Sequence, residues 1–258
     1  MQLYLKFFAM HIKSQMQYKT SFFMSAFGQL LFTFSTVVGV YFMFLRFDEV
    51  EGFIFEEVLI GFAVVSMAMS IAEILGRGFD AFPRLLGNGQ FDRALVRPRG
   101  IIYLVLASQI DFTRLGRLLQ AALILVYAIP ASGIIWAPDK ILTLILMIIC
   151  GSIVFFALFM IYAAFSFFTI EGLEFMNILT HGGREFGRYP YSIYGRGILR
   201  FLTFVIPLAL FQYYPLLYLL GRESSLLYMF APVLGTLFIL PAYVFFRFGL
   251  SRYKSTGS

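Results

Sequence analysis

Residues 141–168 read ILTLILMIICGSIVFFALFMIYAAFSFF and carry no charge. A helix rises about 1.5 Å per residue and a hydrocarbon core is about 30 Å thick, so roughly 20 apolar residues cross it. This stretch exceeds that length and predicts a tilted transmembrane helix. The same test applied outward selects Phe22–Leu45, also uncharged, and Val58–Leu75, with Glu73 near its end. It further selects Leu115–Ile135, with Arg117 near its start, then Ile198–Leu220 and Leu226–Phe246. Ile101–Ile110 is apolar but too short to cross and reads as a lead-in helix at the membrane interface. The expectation is an all-α polytopic membrane protein with six transmembrane helices in a single domain over residues 1–258.

Composition agrees. The chain is 60% hydrophobic and only 13% charged, whereas a water-soluble domain carries about a quarter charged residues. A net charge of +6 raises nucleic acid as a partner, but no basic block or aromatic-basic interleave accompanies it, so nucleic acid is excluded. A single cysteine, Cys150, inside an apolar run rules out a disulfide framework or thiolate metal site, and His11 and His181 share no motif.

The placement of basic residues predicts orientation. Seventeen of the twenty lysines and arginines fall in the N-terminal segment, the second-to-third and fourth-to-fifth connections and the tail. Only Arg46, Lys140 and Arg222 fall in the other set of connections. By the positive-inside rule both termini are cytoplasmic. Within residues 1–20, Gln2, Lys6, Ala9, Lys13 and Gln17 gather on one side of a helical wheel, opposite Tyr4, Leu5, Phe8 and Ile12. That pattern predicts a basic amphipathic helix lying in the cytoplasmic interface, with His11 and Gln15 interrupting its apolar face.

Two cytoplasmic connections are long, residues 76–100 and 169–197, and loops of this length are usually functional. In the first, Gly87-Asn88-Gly89 reads as a turn, and Gln90 to Val96 as one or two helical turns stopped by Pro98. Phe91 and Leu95 share one face, beside Asp92 and Arg93. So short a helix needs a surface to bury its apolar side, either the protein's own membrane base or a cytoplasmic partner.

Gly89-Gln90-Phe91-Asp92-Arg93-Ala94-Leu95-Val96-Arg97-Pro98 resembles a segment of type 2 ABC transporter permeases, the ABC-2 class. The run Glu185-Phe186-Gly187-Arg188-Tyr189-Pro190-Tyr191-Ser192-Ile193-Tyr194, continuing through Pro207 to Tyr214-Pro215, is similar to the same family's second inner loop and fifth span. The resemblance covers the six-span layout and the amphipathic leader. It implies an export-type permease of the cytoplasmic membrane, paired with a second permease chain, identical or related, and driven by separate ATP-binding-cassette ATPase subunits. Those subunits would hold ATP and its magnesium ion. It also implies ATPase-coupling roles for Gln90, Phe91, Asp92, Arg93, Leu95, Arg97 and Pro98, and for Phe186, Gly187, Arg188, Tyr189 and Pro190. This chain has no phosphate-cradling loop of its own: the nearest approach, Gly249 to Lys254-Ser255, has Tyr253 where the second glycine belongs. No cofactor and no catalysis are therefore expected in it.

Glu73 and Arg77, four apart, and Asp111 and Arg114, three apart, lie near predicted cytoplasmic ends. They are candidates for a gate or path, against a purely structural role as snorkelling pairs. Pro207 and Pro215 interrupt the fifth span, either as ordinary kinks or as a bend beside the path. The charge-poor, aromatic-rich spans suggest an apolar or amphipathic cargo such as a drug, lipid or peptide. A stand-alone secondary transporter or channel is the alternative, although the midspans are nearly charge-free and show no repeat.

Overall fold

The computed structural model describes residues 2–169, 174–187 and 189–254. Among them are fourteen α-helices, two short 3-10 helices (Phe112–Arg114 and Tyr191–Tyr194) and no strand beyond an isolated bridge, Val50 to Phe53. Helix α1 (Gln2–Gln17) leads into α2 (Lys19–Phe44), and α3 (Phe55–Asp80) continues into α4 (Phe82–Gly87) and α5 (Gln90–Leu95). Then come α6 (Ile101–Ser108), α7 (Leu115–Ala131) and α8 (Pro138–Phe165). The chain ends with α9 (Glu174–Phe186), α10 (Gly195–Phe204), α11 (Leu208–Phe211), α12 (Tyr213–Leu219), α13 (Leu226–Thr236) and α14 (Ile239–Arg252).

Five segments are long and apolar enough to cross a membrane: α2, α3 with α4, the run into α7, α8, and α13 with α14. The first four predicted spans and the sixth thus correspond to helices. The fifth is a bent pair of helices, which makes a sixth crossing if the pair counts as one broken span. Tyr191–Phe204 and Leu208–Leu219 meet at 90°, because Pro207 starts α11 with no N–H to carry the helix through. Pro215 is buried in the first turn of α12, where proline is tolerated.

α3 is the hub, packed between α7 and α8 and buried over most of its length. Glycines let the helices close in. A Cβ on Gly151 of α8 would meet the Phe211 ring at 2.6 Å, and one on Gly116 would meet the Ala26 carbonyl at 2.7 Å. Gly78 has Val105 of α6 against its backbone, closer than any side chain allows. This small-residue packing replaces the hydrophobic driving force that lipid surroundings remove.

Helix α1 and the last described residues, up to Lys254, sit at the end of the bundle that holds α4 and α5. Tyr253 packs edge-to-face against Phe91, with ring centroids 5.2 Å apart. On α1, His11 Nε2 lies 3.1 Å from the Ala107 carbonyl. Gln15 donates to the Ile110 carbonyl at 2.7 Å and accepts from the Phe112 N–H at 3.1 Å. The two residues that interrupt the apolar face of α1 are thus the ones that fasten it, because they satisfy backbone groups in the last turn of α6 and in the connector that follows. At the opposite end Arg222 ties the loop before α13 to the loop before α3 and to the first turn of α3. It donates to the Gly52 carbonyl at 2.6 Å, pairs with Glu57, and lies over the Phe53 ring.

The segment 169–197, expected as a surface loop, runs back into the bundle within its described residues. α9 inserts beside α3 and α8 because it presents glycine where they come closest. A Cβ on Gly183 would meet Leu208 at 3.0 Å and Phe155 at 3.7 Å, and one on Gly187 would meet Val65, midway along α3, at 2.8 Å. Three of the seventeen basic residues that set the orientation (Arg184, Arg196 and Arg200) therefore lie on helices packed into the bundle rather than in a surface loop. With those three set aside, fourteen remain against three.

Candidate functional site

At the α4–α5 end, α3 passes into α4 with no more than Ala81 between them, and Pro83 occupies the first turn of α4. The Gly-Asn-Gly turn then reverses the chain, with Gly89 left-handed at φ 64°, a conformation glycine adopts without steric cost. α5 spans Gln90–Leu95, ends at Val96, and is followed by Pro98, as the spacing predicts.

Phe91 decides which surface this helix uses. It is fully buried, edge-on to Phe82 at 5.0 Å, Phe167 at 5.7 Å and Tyr253 at 5.2 Å. The Tyr253 hydroxyl also donates to Asp92 at 3.0 Å. Phe91 and Asp92 therefore anchor α5 to the protein's own base. A partner can reach Gln90, Arg93, Leu95, Val96, Arg97 and Pro98, all exposed. Val96 alone is 84% exposed, a large apolar side chain left over at the C-terminal end of α5. Between α1, α5 and α6 lies a groove of about 250 Å³, lined by Phe7, Gln90, Arg93, Ala94, Arg97 and Ser108.

The second expected coupling segment is elsewhere. Phe186 is half-buried against Tyr194, centroids 5.2 Å apart, and its carbonyl accepts from the Tyr194 hydroxyl at 3.1 Å. Gly187 packs on Val65, Tyr189 joins the apolar cluster around Val58, Leu59 and Leu216, and Pro190 is buried. Arg188 lies outside the described residues. None of the other four is at the surface around α4 and α5.

The candidate gate residues converge. Arg77 Nη1 is 3.9 Å from Glu73 and pairs with Asp80, and its Nε is 3.9 Å from Asp111. Arg114 lies 3.7 Å from Glu73 and 3.4 Å from Asp111. The closest partner of the fully buried Glu73 is Arg117, itself buried, whose Nε also donates to the Ser70 hydroxyl at 3.0 Å. Three carboxylates thus face three guanidiniums, joining α3 to α7 and to the connector before it. His181 of α9 reaches the edge of this network, 3.9 Å from Asp80. Sequence reasoning paired neighbours within each segment and missed Arg117 as the central cation. Its signal was a lone arginine inside an otherwise apolar span, which needs a buried counter-charge. Pro207 and Pro215 lie apart from this network, in the bent pair.

The chain belongs to the ABC-2 transporters: residues 30–257 match the family described as ABC-2 family transporter protein. No curated protein and no solved structure matches it. It is a multi-pass membrane protein of the permease class, and membership of this family implies association with ABC ATPase subunits.

Proposed function

We propose that this chain is the transmembrane subunit of an exporter in the cytoplasmic membrane, moving an apolar or amphipathic substrate. Separate ATP-binding-cassette ATPases dock on its α4–α5 end, and two permease chains enclose the path. The observation that carries this reading is the hairpin itself. A buried aromatic base fixes α5 to the end of the hub helix α3, so a push on the exposed Arg93–Arg97 rim is transmitted along α3 as a rigid body. Val96 and Leu95 supply the apolar anchor, and Arg93 and Arg97 the flanking charge, of a helix-in-groove contact. Phe186 to Pro190 takes no part in docking in this reading.

The buried ion network lies between this hairpin and the rest of the bundle. Its balance of three charges against three suits a latch that holds α3 against α7. An ion-coupled carrier would instead use a carboxylate free to exchange its proton or cation.

Gentle detergent purification from the native host, with identification of co-purifying chains, tests the reading. An ATPase subunit should accompany the wild-type chain and be lost with Val96→Asp or Arg97→Glu, while the permease remains monodisperse. Substrate flux by this chain alone in liposomes, driven by an ion gradient, would overturn it.

A further inference from the structure

The groove between α1, α5 and α6 collects positive charge without a counter-charge. Arg93 and Arg97 line it together with Gln90 and Ser108. The Arg97 N–H donates to the Ala94 carbonyl at 3.2 Å, which carries the turn past the end of α5 and sets Arg97 one turn beyond Arg93. A second hollow of about 240 Å³ shares Gln90 and Ser108 with the first and adds Arg84 and Asn88. No acidic residue lines either hollow. Among the described residues, no carboxylate lies within 4.0 Å of any of these three arginines. Asp92, the acid next to Arg93 in sequence, accepts from the Tyr253 hydroxyl at 3.0 Å.

The rest of the same groove is apolar. Phe7 of α1 and Leu104 of α6 line it beside the arginines. Phe7 is held there because His11, one turn further along α1, and Gln15 bond to the Ala107 and Ile110 carbonyls. Depth follows from α3, whose last turn borders the second hollow at Gly78. The 26 residues of α3 rise about 39 Å, against about 30 Å for a hydrocarbon core, so this turn stands at the level of the head groups. Basic clefts at that level suit anionic head groups, and guanidinium forks pair with phosphate oxygens. A soluble anion would use only the polar wall of the groove, and a neutral lipid only the apolar one.

We propose that the groove between α1, α5 and α6 binds an anionic phospholipid from the leaflet at this end of the bundle. Its phosphate sits on Arg93 and Arg97, and its acyl chains start along Phe7 and Leu104. The site goes beyond the docking reading: Leu95 and Val96 do not line the groove, so they stay free for a partner while lipid holds the arginines.

The test uses the full chain without ATPase, purified in detergent and titrated with phosphatidylglycerol or phosphatidylcholine, bound lipid being counted by native mass spectrometry. The wild type should prefer phosphatidylglycerol, and Arg93→Gln/Arg97→Gln should weaken that binding about tenfold or more. Arg93→Lys/Arg97→Lys keeps the charge and should recover part of the loss. Phe7→Ala should weaken binding through the apolar wall, and Arg46→Gln, an exposed arginine at the opposite end, should change nothing. Inorganic phosphate should displace little; displacement by phosphate as effective as by lipid would make this a site for the free anion and overturn the lipid assignment. Equal phosphatidylglycerol binding by the double glutamine variant, eluting as monodisperse protein, overturns the proposal. If that variant keeps its lipid and loses the co-purifying ATPase, the arginines serve docking alone, and the lipid site falls while the docking reading stands. Loss of lipid with the ATPase still co-purifying keeps the lipid site and takes the arginines out of docking.

Discussion

Glu73→Gln removes the central charge of the buried network while keeping the shape of the side chain. Its effect can be worked from the contacts. Arg77 retains Asp80, and Arg114 retains Asp111 at 3.4 Å, so neither loses its only counter-charge. Arg117 does: it is 3% exposed, and the Ser70 hydroxyl is the other partner it has. Stranding one buried cation costs about 3–5 kcal/mol. The lower figure applies here, because the remaining amide still accepts a hydrogen bond. For a domain of this size about 3 kcal/mol corresponds to a fall in Tm of roughly 6–12 °C. Fluorescence-detected size exclusion after a heating series in detergent reads that shift. The double variant Glu73→Leu/Arg117→Met removes both charges and should regain most of the loss, since apolar replacement of a whole buried pair is often neutral or better. A Glu73→Gln variant that melts within about 2 °C of the wild type, or a double variant no better than the single, would refute the claim that Glu73 serves chiefly to neutralise Arg117.

Gly78→Ala should cost about 1–3 kcal/mol or more through overpacking on the Val105 carbonyl, seen as lost monodisperse yield, whereas Gly100→Ala, with open space around it, should behave as wild type. Phe91→Ala should destabilise the protein itself by about 3–5 kcal/mol, read as a lowered Tm. Leu95→Ala, at a position already 38% exposed, should leave Tm unchanged and weaken ATPase association. In a Cys150→Ala background, cysteines at Glu49 and Ser224 should react in whole cells with an impermeant thiol reagent and one at Asn88 should not; labelling at Asn88 from outside would invert the orientation.

Much of the bundle is legible in the sequence because lipid imposes a length and a polarity on each crossing. An uncharged run such as 141–168 has few alternatives to a transmembrane helix, and Gly89 and Pro98 mark both limits of α5. The site is less legible. Phe91 and Leu95 sit on one helical face and look alike in sequence, but Phe91 is closed over by Phe82, Phe167 and Tyr253, each from a different part of the chain, and Leu95 is not. Glu73 finds its main counter-charge 44 positions away in another span, at Arg117, where local spacing rules do not reach. The stretch from 174 to 206 reads as a polar loop followed by a span, yet its described part turns into the bundle, because Gly183 and Gly187 fit against Leu208 and Val65 and Pro207 bends the chain. For the segments within the bilayer the physical reason is the solvent. In water an apolar face must be buried against protein, so periodicity predicts contacts; in a bilayer lipid solvates the same face equally well. Sequence alone thus determined which segments can cross and where α5 starts and stops, while close packing and buried charge decided which faces meet, which residues remain free for a partner, and where the chain re-enters.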